Sequence, residues 1–214
     1  MERVTAYVDG FNLYHGLKER NLRGFYWLNI KALIQSLLLP DQTLRHVHYF
    51  TSRVAGPPEK VKRQGTYIEA LQLIQGVTVH FGHYVASSSR CRSCHAENIA
   101  PREKRTDVNI AAAMLFDAFA NNFDNAILVS GDTDLIGPLE VMRQMFPKKK
   151  RTIAFPPGRH SGHLTKFATG WLHIGEDKFA KSLLPLEVEK LSGFKLKKPD
   201  SWLYRGKAAD FERK

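Results

Sequence analysis

The chain of 214 residues carries 32 Lys and Arg against 21 Asp and Glu, a formal net charge of +11. Its 43% hydrophobic and 25% charged residues exclude a disordered segment, and a chain of this length buries a full core without disulfide or metal staples. Two cysteines exclude a disulfide scaffold, and the basic excess points to polyanionic partners, nucleic acid first.

No stretch approaches the ~18 apolar residues of a membrane span. The opening M-E-R-V-T-A-Y-V lacks the apolar region of a secretory signal. A cytoplasmic protein with no membrane partner is expected.

Residues 3–8 form a short apolar run that stops at Asp9-Gly10, a buried first strand ending in a carboxylate. Residues 11–20 and 30–38 have helical spacing, and 44–51 alternate as a strand. Pro57-Pro58 opens a helix to about Gln75 that carries the stripe Val61, Tyr67, Ile68, Leu71 and Ile74, and Val77 to Phe81 is the third strand. Residues 84–106 read as polar and irregular. Asp107 caps a helix to Phe119, with Val108, Ala111, Ala112, Leu115 and Phe119 turned inward. Ala126 to Val129 is a strand that ends at Ser130-Gly131-Asp132-Thr133-Asp134. A helix to Met145, a strand over 151–155, a helix over 161–169 and a strand over 171–174 complete the alternation. Beyond Gly175 the period is lost in a Lys-rich peripheral tail.

Strands alternating with helices predict an α/β fold with a parallel, helix-covered sheet, whose ligands bind at the carboxyl ends of the strands. Asp9, Asp132 and Asp134 follow such strands, and the helix begun by Asp107 must bring one end near the same edge. Singly, each aspartate reads as a turn or cap. Jointly, they read as a site that a bound cation keeps ionised. Oxygen-only ligation suits Mg²⁺ or Mn²⁺ better than Zn²⁺. On a basic protein this suggests metal-assisted phosphodiester hydrolysis.

The segments V-D-G-F-N-L-Y (8–14), E-K-R-T-D-V-N-I-A (103–111) and L-V-S-G-D-T-D-L-I-G-P-L (128–139) resemble the three motifs of the NYN domain, the LabA-like family of the PIN-like nuclease superfamily. The likeness runs on through F-P-P-G-R (155–159) and S-L-L-P (182–185). It implies a nuclease domain over 1–185 with a basic tail over 186–214, and a three-layer α/β/α sandwich with a central, mainly parallel sheet. It also implies a metal-dependent ribonuclease site formed by Asp9, Asp107, Asp132 and Asp134. Asn12 would orient a metal water or phosphate, and Ser130 would support the cluster through its hydroxyl. RNA is the implied partner; the oligomeric state, a homodimer included, stays open. The alternative is a non-catalytic RNA-binding or regulatory module that keeps the acidic pocket.

Arg53, Lys62, Arg63, Lys104, Arg105 and Arg159 are the candidate phosphate contacts near the active edge. Tyr14, Phe25, Tyr26 and Trp27 could stack bases, although aromatics beside apolar runs are more often core. Cys91 and Cys94 are half of a zinc site, to which His83 and His95 could add. A fourth ligand has no clear owner, so a reduced pair in a loop is the preferred reading.

Overall fold

The computed structural model describes residues 1–90 and 97–203, and of residues 83–90 and 97–104 the backbone alone. Strand β1 (Glu2–Asp9) sends Val4, Ala6 and Val8 to one face of the sheet and Tyr7 to the other. Helix α1 (Gly10–Glu19) follows without a loop, because the Asp9 carboxylate accepts the Asn12 backbone N–H at 3.0 Å and so caps it. The chain then forms α2 (Ile30–Gln35), β2 (Gln42–Thr51), α3 (Pro58–Gln72) and β3 (Val77–Phe81). A hairpin, β4 (His83–Arg90) and β5 (Glu97–Lys104), precedes α4 (Thr106–Phe119). The second half comprises β6 (Asn125–Val129), α5 (Ile136–Met145), β7 (Lys150–Phe155), α6 (Gly162–Thr165), β8 (Gly170–His173) and α7 (Glu176–Lys181). A small hairpin, β9 (Glu187–Glu189) with β10 (Lys195–Lys197), comes last.

The six-stranded sheet has the order β3-β2-β1-β6-β7-β8, with every pairing parallel. Leu13, Leu17, Leu33 and Leu71 pack on one face, and Ile110, Met114, Leu139 and Met142 on the other. This is the expected α/β/α sandwich. Val8 pairs with Val129 across β1 and β6, so Asp9 and Ser130 leave the sheet side by side at its carboxyl edge. No helix among the described residues is long and apolar enough to cross a membrane.

The structure corrects several local expectations. Residues 84–106 are not irregular: most of them pair as the β4–β5 ribbon, which stands apart from the main sheet. The ribbon is a two-stranded sheet of its own, and no period of two in the sequence marked it. On α4 the inward face is Ile110, Met114, Asp117 and Ala118, while Val108 is 67% and Phe119 83% exposed. That helix is apolar almost all round, and hydrophobicity alone did not pick the face. Arg105, not Asp107, is its N-cap. Val61 is also exposed, and the buried face of α3 begins only at Tyr67. Helix α6 ends at Thr165, and α2 at Gln35, where the Ser36 hydroxyl donates to the Leu33 carbonyl.

Part of the Lys-rich stretch after 185, expected to be a peripheral tail, packs on the domain over its described residues. Leu196 of β10 is buried in the core cluster, and Trp202 packs edge-on against Tyr26 and Tyr67. Three-residue strands are too short to show an alternation in sequence.

Candidate metal centre

Carboxylate oxygens of Asp9, Asp107 and Asp132 lie within 4.8 Å of one another. Oxygen ligands sit ~2.0–2.6 Å from a divalent ion, so two on opposite sides are about 4–5 Å apart. The three therefore fit around one ion, and a donor set of oxygens alone matches Mg²⁺ or Mn²⁺ chemistry. Asp134 is not in this group. Its side chain is exposed, and its backbone N–H donates to Asp132 Oδ1 at 3.0 Å.

Each aspartate arrives by a different route. Asp9 ends β1, Asp132 caps the 3₁₀ turn of residues 133–135 that leads into α5, and Asp107 lies in the first turn of α4. All three helical N-termini thus face the cluster, and their partial positive charge favours ionised carboxylates. Arg105, the residue before α4, has a left-handed backbone (φ 82°), an uncommon conformation for a side chain this size. Strain of about 1–3 kcal/mol of this kind is typical of functional sites.

Ser130 ties two of the acids together. Its buried hydroxyl donates to Asp9 Oδ2 at 3.0 Å and accepts the Asp132 backbone N–H at 3.1 Å. Asn12 Oδ1 accepts the Gly131 N–H at 3.0 Å, which leaves Nδ2 as the donor this side chain can offer the cleft. Burial pushes the Asp9 carboxyl up to about 6; bonds from Asn12 and Ser130 oppose this, while the Asp107 and Asp132 charges add to it. A cation would remove that penalty.

The cluster lies in a cleft of about 240 Å³, also lined by Phe11, Asn12, His15, Arg105 and Arg159. One wall depends on a glycine. A Cβ on Gly131 would fall 1.8 Å from the Arg159 carbonyl oxygen, so the 155–159 loop closes on the 130–134 turn only without a side chain there. The Arg159 guanidinium pairs with Glu19, and its buried Nε has no partner. Burial lowers the pKa of His15, and the Arg159 and Lys18 charges lower it further against the opposing charge of Glu19.

The motifs that build this cleft fall within one family domain: residues 3–174 match the model of the NYN domain. The chain belongs to the NYN domain family. This is a PIN-like nuclease family, and the acidic cluster of this NYN domain fits a metal site. A relative, 6-hydroxy-3-succinoylpyridine 3-monooxygenase HspA of Pseudomonas putida, is 27% identical over 94% of this chain and 75% of its own length. A protein of unknown function from Vibrio parahaemolyticus shares the fold, with a TM-score of 0.54 at 19% identity. That match covers 86% of this NYN chain and 96% of the other.

The expected phosphate contacts scatter more widely. Arg105 and Arg159 line the acidic cleft, and Arg63 lines a larger neighbouring cavity. The Arg53 guanidinium stacks 5.1 Å above the Phe81 ring, and exposed Lys62 lines neither cavity. The side chain of Lys104 lies outside the described residues, as do Cys91, Cys94, His95 and the side chain of His83. Trp27 is fully buried core, its Nε1 donating to the Pro185 carbonyl at 2.7 Å.

Sequence reasoning missed Phe11 and His15, which line both the cleft and its larger neighbour. The signal was available, since His15 lies one helical turn after Asn12.

Proposed function

We propose that this NYN protein is a cytoplasmic, Mg²⁺- or Mn²⁺-dependent endoribonuclease acting at the Asp9, Asp107 and Asp132 cluster. The observation that carries the reading is the meeting of three carboxylates, from three separate segments, in one cleft walled by Arg105 and Arg159. A bound cation would supply a water activated for attack and neutralise charge at the phosphate. The chain's own groups do the rest. Ser130 fixes the Asp9 carboxylate, and Asn12 Nδ2 and the two arginines offer donors to phosphate oxygens. The positive net charge supports a polyanionic substrate.

Purified protein incubated with single-stranded RNA and Mn²⁺ should yield cleavage that EDTA stops. Tight, metal-dependent RNA binding without cleavage would instead favour the non-catalytic module.

A second reading is favoured by the aromatic walls of the neighbouring cavity and by the name of the Pseudomonas putida relative. In it, the chain acts on a small heteroaromatic acid. Oxygen uptake on adding a hydroxypyridine and a reductant would support it.

A further inference from the structure

Beside the acidic cleft lies a cavity of about 610 Å³, bounded by α1, α3, the end of β2 and the segment around Trp202. It falls within the roughly 300–1,000 Å³ typical of ligand sites. Its inner walls are rings: Tyr14 and Tyr26 lie 5.0 Å apart, and Trp202 stands edge-on to Tyr26 at 5.7 Å and to Tyr67 at 6.0 Å. Cations line it as well, namely Lys18, Lys60 and Arg63. Gln64 braces one side, accepting the Val54 N–H and donating to the Ser52 carbonyl.

We propose that this cavity is a nucleobase subsite, seating one unstacked base of the RNA whose phosphate lies at the acidic cluster. The proposal rests on the nuclease reading and deepens it. Three features select this occupant. Flat aromatic walls suit a planar ring of any sequence. Lysine and arginine suit the phosphates that flank it. The third feature is continuity, because Phe11 and His15, one turn apart on α1, line cavity and cleft alike. A base at one side of that pair and its phosphate at the other are neighbours in one strand. Paired bases cannot enter, so the site takes single strands and leaves duplexes uncut. Trp202 gives the stretch beyond residue 185 a place in the substrate site.

The test uses the full chain and a single-stranded RNA carrying one abasic residue, moved position by position along it. Binding is read by anisotropy with Mg²⁺ and with EDTA, and cleavage on the same oligonucleotides. Removal of the base next to the cleaved bond should weaken binding roughly tenfold or more. Removal elsewhere should do far less. Trp202→Ala should lose the same factor and become indifferent to the abasic residue. Should that variant fail to fold by circular dichroism, Tyr14→Leu gives the same readout. Adenosine and uridine monophosphates alone should quench tryptophan fluorescence, and Trp202→Phe should abolish the quench.

Cleavage without any dependence on the base overturns the subsite and leaves the nuclease reading standing. Base-dependent binding without cleavage does the reverse. Nicotinate quenching as strongly as the mononucleotides would overturn the nucleobase assignment in favour of a free heteroaromatic acid.

Discussion

The Tyr7 hydroxyl donates to Asp117 Oδ2 at 2.7 Å, joining the central strand β1 to the buried face of α4. The same oxygen lies 3.1 Å from His48 Nε2, and Asn122 Nδ2 donates to the other at 2.8 Å. His48 continues the chain through Nδ1 to His80 Nε2 at 2.8 Å. Asp117→Ala therefore strands several polar groups, at about 1–3 kcal/mol for each one left buried. Urea unfolding should show a loss of at least about 2 kcal/mol, and Tyr7→Phe a smaller one. Equal stability of wild type and Asp117→Ala would mean that the network contributes nothing.

Acid should expose the same network. Burial alone would raise the Asp117 carboxyl, but bonds from His48, Asn122 and Tyr7 bring it down to about 2. Arg3 holds Asp124 at about 2 as well. Unfolded, both titrate near 3.8, so the unfolded chain takes up protons first as pH falls. Stability from these groups is complete above that value and is lost towards pH 2. Circular dichroism across pH 5 to 2 should follow the loss, and Asp124→Asn should remove its share.

Asp9→Asn and Asp132→Asn should abolish Mn²⁺-dependent cleavage while RNA binding persists or tightens as repulsion of phosphate falls. Asp134→Asn, outside the cluster, should keep activity within a few-fold. Ser130→Ala removes a support rather than a ligand, and calorimetry should find Mn²⁺ affinity lower by roughly 10–100-fold.

Gly131→Ala should separate packing from chemistry. The new methyl meets backbone at Arg159, which cannot swing aside as a side chain would. Overpacking of this kind costs about 1–3 kcal/mol, and the 155–159 loop should move off the cleft. Faster proteolysis near Pro156 together with loss of cleavage would record both effects.

RNA affinity should fall steeply with salt, with a slope of about −0.7 for each phosphate neutralised on a single strand. Charge reversal at Arg63 or Arg105, which line the cavity and the cleft, should weaken all RNAs and flatten the slope. A salt-insensitive complex would argue for a specific regulatory contact instead.

The sheet was legible because buried parallel strands are short apolar runs, and V-T-A-Y-V and N-A-I-L-V cannot easily be anything else. Asp9 and Asp132 were legible for the same reason, as carboxylates at the ends of those runs. Asp107 was placed correctly at the cluster but given the wrong local role, because a left-handed Arg105 cap leaves no sequence signal. Asp134 shares its turn with Asp132, and only the geometry of the 3₁₀ turn separates them. The aromatic cavity was half visible: Tyr14, Phe25 and Tyr26 were candidates, but Trp202 reaches it from a segment with no readable period.

The pairing of β1 with β6 also sets an order of events in time. The first three strands can find one another among near neighbours as the chain is made. Asp9, however, meets Ser130 across 121 residues of sequence. Closing so long a loop costs chain entropy, and distant parallel pairing is slow. A nascent chain still tethered to the ribosome, with RNA on every side, has no assembled carboxylate cluster until residue 132 has cleared the exit tunnel.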